Sequence, residues 1–567
     1  MVNRYLSLGL SDTGVTSIFA MSRCGVFFVS QLKSMLTGSS FRAAPYRIPP
    51  IHATKPARNV LFEFCQSGCS TKRKHCKTIV VISIKILSFF TAMILAASSL
   101  YYYYRYNELK LKQLTVAAFL FRLSAALFPY LHEWDERYHA LVAKNLSHDF
   151  LLPKLYPIAL LPYNFQAWGA NYIWLHKQPF TLWIIACSIK IFGANELSVR
   201  APSILLSTIA VVLTFYIGKW LFNEKIGFVA AIFHCVNGRI IEMTGGASAT
   251  DHVDLFYLFF IELAAFLCVY SKHKLPSNKN QHSWFAVLIG VVLGICILCK
   301  WLPCMFVVLI YAVLHWREKK YVLNLFLLLV AATLVMAPWQ IYAALNFSVE
   351  YWYEMKYNNR HAFEVLEGHA HGLLFHFDTA RIMWNELVYL PLVYLLYLSF
   401  VRPSRQILTL TIWIFLPYIF FTMAATKMPA YVLFCGPAIF IIQALFVENL
   451  DLKKYKVLKI ILTVAFFLFA FRYCIERTKP FDATKEAKLL KMETEKIKKL
   501  SSDGKTIVFN DTHFIATMFY TDVIAYETLP TSDEIEYLIK LGYSVLIKNE
   551  KNVQQSLRDD KRVKIVE

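Results

Sequence analysis

Charge is scarce in this chain: only 17% of its 567 residues are Asp, Glu, Lys or Arg, against about 25% in an ordinary soluble domain. Acids are the scarcer sign, 38 Asp and Glu against 59 Lys and Arg, which leaves a formal charge of +21. Such a balance suits a nucleic-acid binder only if the cations form a stripe. Here they fall in short clusters between apolar runs, such as Arg317-Glu318-Lys319-Lys320 and Lys453-Lys454, as cytoplasmic loops of a membrane protein do. A nucleic-acid partner is therefore not expected.

No Gly-rich phosphate loop occurs, so neither a P-loop nor a dinucleotide fold is indicated. Cys65, Cys69 and Cys76 lack the paired CxxC spacing of a structural zinc site, and no second pair follows. Cys187, Cys235, Cys268, Cys296, Cys299, Cys304 and Cys435 lie inside apolar runs as small buried hydrophobes, so no disulfide framework is expected. Internal repeats of the transporter kind are missing too.

What is present is apolar side chains, 57% of the chain, with aromatics at 16%. Runs long enough to cross a bilayer occur near 78–103, 112–131, 200–221, 226–240, 253–271, 283–299, 301–316, 321–344, 385–401, 406–424, 429–447 and 456–474, giving about twelve expected spans. Residues 179–193 are shorter, open with Pro179 and close on Gly193, which suits a helix lying at the interface. If that segment does not cross, the basic loops at 105–112, 272–279, 317–320, 402–405 and 453–456 share one face. The positive-inside rule makes that face cytoplasmic.

The opposite face then receives the loop 132–178, the turn 241–252, the loop 345–384 and everything after 475. Ionisable residues at a membrane boundary are costly unless paired or used, and these segments carry several sets. The first is His132-Glu133-Trp134-Asp135-Glu136-Arg137-Tyr138, directly after a span. Next come His176-Lys177-Gln178-Pro179 and Asp251-His252-Val253-Asp254, where Asp254 opens a long apolar helix. Two more sets are Tyr357-Asn358-Asn359-Arg360-His361 with Glu367-Gly368-His369-Ala370-His371, and Thr426-Lys427. Taken singly, each has a plain alternative: helix capping for Asp251 and Asp254, snorkelling for Lys177, and a solvated loop start for Asp135 and Glu136. His369 and His371 could bind an anion or, with an acid, a metal. Together they bring carboxylates and cations to one membrane surface, which folding alone does not require.

Beyond 475, Glu486–Leu500 has helical character, and Thr506–Phe509, Ser544–Ile547 and Val563–Val566 read as strands around a helix at Asp533–Leu541. A small α/β domain outside the cytoplasm is expected.

These residues, with Phe192-Gly193-Ala194-Asn195-Glu196-Leu197-Ser198-Val199-Arg200 and Ala337-Pro338-Trp339, resemble the polyprenyl-phosphate-sugar-dependent branch of the glycosyltransferase C (GT-C) superfamily. That branch contains the dolichyl-phosphate-mannose protein mannosyltransferases and the aminoarabinose transferase of lipid A, and the likeness runs from about 112 to 475. It implies an α-helical polytopic membrane protein of GT-C fold with a small C-terminal α/β extracytoplasmic domain. The expected parts are a poorly ordered extension over 1–75, an extra span and cytoplasmic linker over 76–111, a catalytic membrane domain over 112–475 and the small domain over 476–567.

The resemblance also implies a function: transfer of a sugar from a polyprenyl-phosphate donor to a lipid, glycan or protein acceptor, by single displacement with inversion. Asp135 would be the acid near the reacting hydroxyl, with Asp254 and Glu136 as further catalytic acids. Lys177, Arg360 and Lys427 would bind the donor phosphate, and Tyr138, His176, Asp251, His361, His369 and His371 complete the candidates. Beyond the lipid-linked donor and membrane lipids no cofactor is required, and a divalent metal stays open. Lacking a counterpart of the eukaryotic β-trefoil domain, the chain is expected in a bacterial inner membrane with its site facing outward. The rival readings are a transporter or flippase of an anionic lipid and a noncatalytic scaffold.

Overall fold

The computed structural model describes residues 70–248, 252–274, 279–450, 455–481, 485–501, 505–550 and 553–566. Residues 1–69 of the expected extension over 1–75, and the candidate Asp251, lie outside the described residues. The described residues from His75 onward form one compact unit, and all that follows concerns it.

Among the described residues, eight helices are long and apolar enough to cross a membrane, or up to ten if two bent pairs each count as one span. The twelve expected runs thus exceed the helices that qualify, for identifiable reasons. Leu111–Ala126 is 16 residues long, short of the roughly 20 a span needs. The run 226–240 breaks at Asn237 into Glu224–Cys235 and Gly238–Thr244, bent by 51°, because the Asn237 side chain accepts from the Ile240 amide and caps a new helix. The run 385–401 begins only at Tyr389, bent by 112° from Phe375–Trp384. Leu302–His315 and Pro179–Phe192 are short apolar helices. The expected loop 345–384 is largely helical, with Ser348–Arg360 and Phe375–Trp384.

Membrane helices gain little from apolar burial against each other and pack instead through small residues. Gly290 and Gly294 show this. A Cβ on Gly290 would stand 2.2 Å from the Leu328 carbonyl, and one on Gly294 would stand 2.7 Å from that of Ala332. The helix Lys279–Lys300 therefore lies directly against Tyr321–Asn346.

The C-terminal segment folds into a four-stranded parallel sheet in the order β2-β1-β3-β4, from β1 (Thr506–Phe509), β2 (Ile524–Ala525), β3 (Ser544–Lys548) and β4 (Val563–Val566). The two-residue β2 and the helix Phe514–Tyr520 were not expected. Ile507, Phe509, Phe514 and Met518 share one apolar cluster with Ala140, Leu141 and Leu146 of the helix Asp135–Leu146. Lys144 pins the contact, donating to the carbonyls of Met518, Phe519 and Thr521 at 2.9, 3.0 and 2.8 Å, where a cation favours a helix C-terminus. The small domain thus buttresses the helix that begins with Asp135.

Candidate active site at one end of the helical bundle

Asp135 stands at the first turn of its helix, after Trp134 with φ +66°. Its Oδ2 lies 3.8 Å from Nζ of Lys177. Lys177 is fixed by the residues on either side: Pro179 starts the next helix, and the imidazole of His176 is buried flat against Trp168, ring centres 4.7 Å apart.

His176 Nδ1 is 3.2 Å from the Glu354 carboxyl. Burial, aided by the Lys177 charge, pushes His176 down to about 3, and burial pushes Glu354 up to about 7. Both are therefore neutral near pH 6, and the contact is a hydrogen bond in which protonated Glu354 donates to Nδ1. Glu367 lies beside them and accepts from the Tyr357 hydroxyl at 3.0 Å. Burial alone would raise its carboxyl, but the Lys177 charge and the Tyr357 hydrogen bond hold it low.

A second pair completes the cluster. Asp254, 5% exposed, receives a short hydrogen bond from Lys300, whose ammonium also stands 5.0 Å from the Tyr431 ring centre. Asp254, Glu367, Asp135 and Tyr357 all bear electrostatically on the Tyr431 hydroxyl, which ties the two pairs into one site. The helix His252–Lys274 starts here, Lys279–Lys300 ends here and Pro429–Cys435 enters the bundle here. Lys300 was missed from sequence, although a lone cation between the apolar runs 283–299 and 301–316 was the available signal.

Three expected site residues make their contacts away from these two pairs. Glu136, expected among the catalytic acids, is wholly enclosed. Arg200 Nε and Nη2 meet its oxygens at 2.6 and 2.9 Å, its second oxygen accepts from the His132 amide at 2.6 Å, and His252 Nε2 stands 3.4 Å away. Burial opposes its ionisation, and the Arg200 charge with the His252 contact more than offsets that, so it stays ionised. Arg200 also donates to the carbonyls of Ala126, Phe128 and Tyr130, so the pair holds the loop that delivers Asp135. Gly246, at φ +72°, completes the enclosure, since a Cβ there would stand 2.2 Å from the Glu136 carboxyl.

Arg360 lies half-exposed and paired with Glu364 at 2.6 Å rather than with the carboxylates. Lys427 is buried and donates to the Ala424 carbonyl at 2.7 Å. Its segment staples the neighbouring loop instead: the amides of Ala425 and Thr426 donate to Ala362 and His361 carbonyls, both at 3.0 Å.

Among the other candidates, Tyr138 packs edge-on against Trp168 at 5.0 Å, and His361 Nδ1 meets the Tyr357 carbonyl at 3.2 Å. His371 stacks on Phe375 at 4.0 Å, and His369 is joined to the staple through its carbonyl. Among the described residues, the group close enough to hold a cation is not His369 and His371 but His282, His315 and Glu318. There Glu318 is already paired with Lys272 at 3.0 Å.

Long apolar helices thus bring two acid–cation pairs to one end of the bundle. A family model of dolichyl-phosphate-mannose-protein mannosyltransferases matches residues 176–342, a stretch holding His176, Lys177, Asp254 and Lys300. The chain is 24% identical over 283 residues to an undecaprenyl phosphate-α-4-amino-4-deoxy-L-arabinose arabinosyl transferase of Pseudomonas fluorescens, covering 47% of this chain and 48% of that protein. It is 26% identical over 271 residues to a transferase of the same name from Pseudomonas aeruginosa, 45% of this chain and 46% of that one. The chain thus spans about half the length of these curated relatives. The crystal structure of ArnT from Cupriavidus metallidurans bound to undecaprenyl phosphate superposes with a TM-score of 0.56 at 13% identity, over 76% of this chain and 87% of that one. The chain has the GT-C fold and is similar to the aminoarabinose-transferase branch of that superfamily, as its sequence motifs implied.

Proposed function

We propose that this integral membrane protein is a glycosyltransferase that moves a sugar from a polyprenyl-phosphate donor to an acceptor hydroxyl or phosphate, with inversion at the anomeric carbon. The observation that carries the reading is the pair of acid–cation contacts, Asp135 with Lys177 and Asp254 with Lys300, at one end of the bundle. The names and the undecaprenyl-phosphate ligand of the similar proteins support it.

For a hydroxyl acceptor, Asp135 takes the proton while the acceptor oxygen attacks the anomeric carbon. The bond from that carbon to the phosphate oxygen breaks, and the lipid phosphate leaves with the electron pair. A departing phosphate needs positive charge already in place, and Lys177 and Lys300 supply it. Asp254 holds Lys300 in position, and Glu136 with Arg200 positions Asp135 without touching substrate. Lys272, Arg317 and Arg405 at the other end of the same helices support a site on the outer face, and the bacterial source of the similar proteins supports a bacterial inner membrane.

The test is competition by undecaprenyl phosphate for a fluorescent polyprenyl phosphate bound to the purified protein. Lys177→Ala and Lys300→Ala should each weaken binding about tenfold or more. Wild-type affinity in both variants would remove these lysines from the phosphate site.

A further inference from the structure

Between the loop 156–172 and the C-terminal domain lies a cavity of about 200 Å³. It is smaller than the roughly 300–1,000 Å³ of drug-sized sites, and so has room for about one six-membered ring. Its walls are the rings of Tyr156, Tyr163 and Tyr526 with the polar groups of Asn164, Glu527 and Thr528. Tyr156 stacks on Tyr526, ring centres 5.1 Å apart at 19°, and Tyr526 stacks in turn on Phe509 of β1 at 5.2 Å. The aromatic wall is therefore rigid and anchored in the sheet.

With Tyr156, Tyr526 and Phe509 stacked on one another, the ring left to a ligand is Tyr163, 43% exposed; aromatic rings attract weakly positive C–H groups, which the faces of a pyranose ring present. A carboxylate, an amide and a hydroxyl at the rim match the hydroxyls around such a ring. Among the described residues lining the cavity there is one carboxylate and no cation, which is wrong for a phosphate and right for a neutral or amino sugar. The cavity also has an address. The Tyr138 hydroxyl lies against Gly169, where a Cβ would stand 3.2 Å from it, and the next residue, Ala170, is part of the cavity wall. Tyr138 thus stands between this wall and Asp135, three residues before it on the same helix.

We infer that this cavity is the acceptor-side subsite and holds a neutral or amino sugar ring of the acceptor, presented to Asp135 by the C-terminal domain. The inference rests on the glycosyl-transfer reading.

The test is saturation-transfer NMR on the full-length protein in nanodiscs with methyl α-D-glucopyranoside, methyl 2-amino-2-deoxy-glucopyranoside and glucose 1-phosphate. The first two should receive saturation and the phosphate should not. Tyr163→Ala, at an already exposed ring, and Glu527→Gln should reduce the signal at least fivefold. In a transfer assay the same variants should raise the acceptor KM about tenfold and leave the donor KM unchanged. No saturation of either glycoside by the wild type, or a signal and acceptor KM unmoved in both variants, would overturn the subsite. Wild type that saturates the glycosides but turns over no polyprenyl-phosphate sugar would instead sink the transfer reading and leave a sugar-binding cavity.

Discussion

The ammonium of Lys177 stands 3.8 Å from a carboxylate oxygen of Asp135, outside direct hydrogen-bond range but well inside electrostatic reach. On the proposed function, such a cation would attract the donor phosphate to the acid without taking up the lone pair that must accept a proton. Lys177→Ala should therefore raise the donor KM about tenfold with a smaller loss in kcat, whereas a Lys177→Ala enzyme with wild-type donor KM would show that the phosphate sits elsewhere.

Removing Arg200 leaves a buried, unpaired Glu136, a loss of about 3–5 kcal/mol in comparable buried pairs. Arg200→Met should lower the Tm by several degrees in detergent. Gly246→Ala should do likewise by driving a Cβ into the Glu136 carboxyl. Both variants at wild-type Tm would mean that this pair does not hold the Asp135 loop.

Asp254 and Lys300 act as one unit, so their substitutions should not add. Asp254→Asn and Lys300→Ala should each cut kcat/KM about a hundredfold, and the double variant hardly more. Full additivity in a double-mutant cycle would mean that the two act independently. Arg360→Ala, at a half-exposed residue paired with Glu364, should move the donor KM less than about twofold.

Glu354 gives a pH dependence with a definite sign. Burial raises its carboxyl from the ordinary range to about 7, so the protonated form stabilises the fold fully below the unfolded value of about 4.3. That contribution is lost as pH rises through about 7. His176, pushed down to about 3, stays neutral throughout. The Tm should fall as pH rises from about 5 to 8, and Glu354→Gln should flatten that slope. An equally steep slope in the variant would place the titration at another group.

Apolar runs are long and charge is scarce, so the helical bundle was legible in the sequence, and Thr506–Phe509 and Val563–Val566 were read to the residue because they alternate with turn signals. Asp135, Lys177 and Asp254 stood out as candidates because charge beside lipid must be justified, and the structure brings Asp135 to Lys177 and Asp254 to Lys300. The enclosure of Glu136 was not legible because sequence shows the acid but not its partner, Arg200, 64 positions away. Lys300 was overlooked because its meaning depends on Asp254, 46 positions earlier. The cavity wall at Glu527 joins segments more than 350 positions apart, and no local pattern announces it.

The central claim is tested most directly by incubating purified wild type and Asp135→Asn with a panel of radiolabelled polyprenyl-phosphate sugars and membrane acceptors. Label should pass to an acceptor in the wild type and fall at least a thousandfold in the variant, with Tm unchanged. Transfer that survives Asp135→Asn would contradict the assigned base, and no transfer from any donor by the wild type would contradict the enzyme itself.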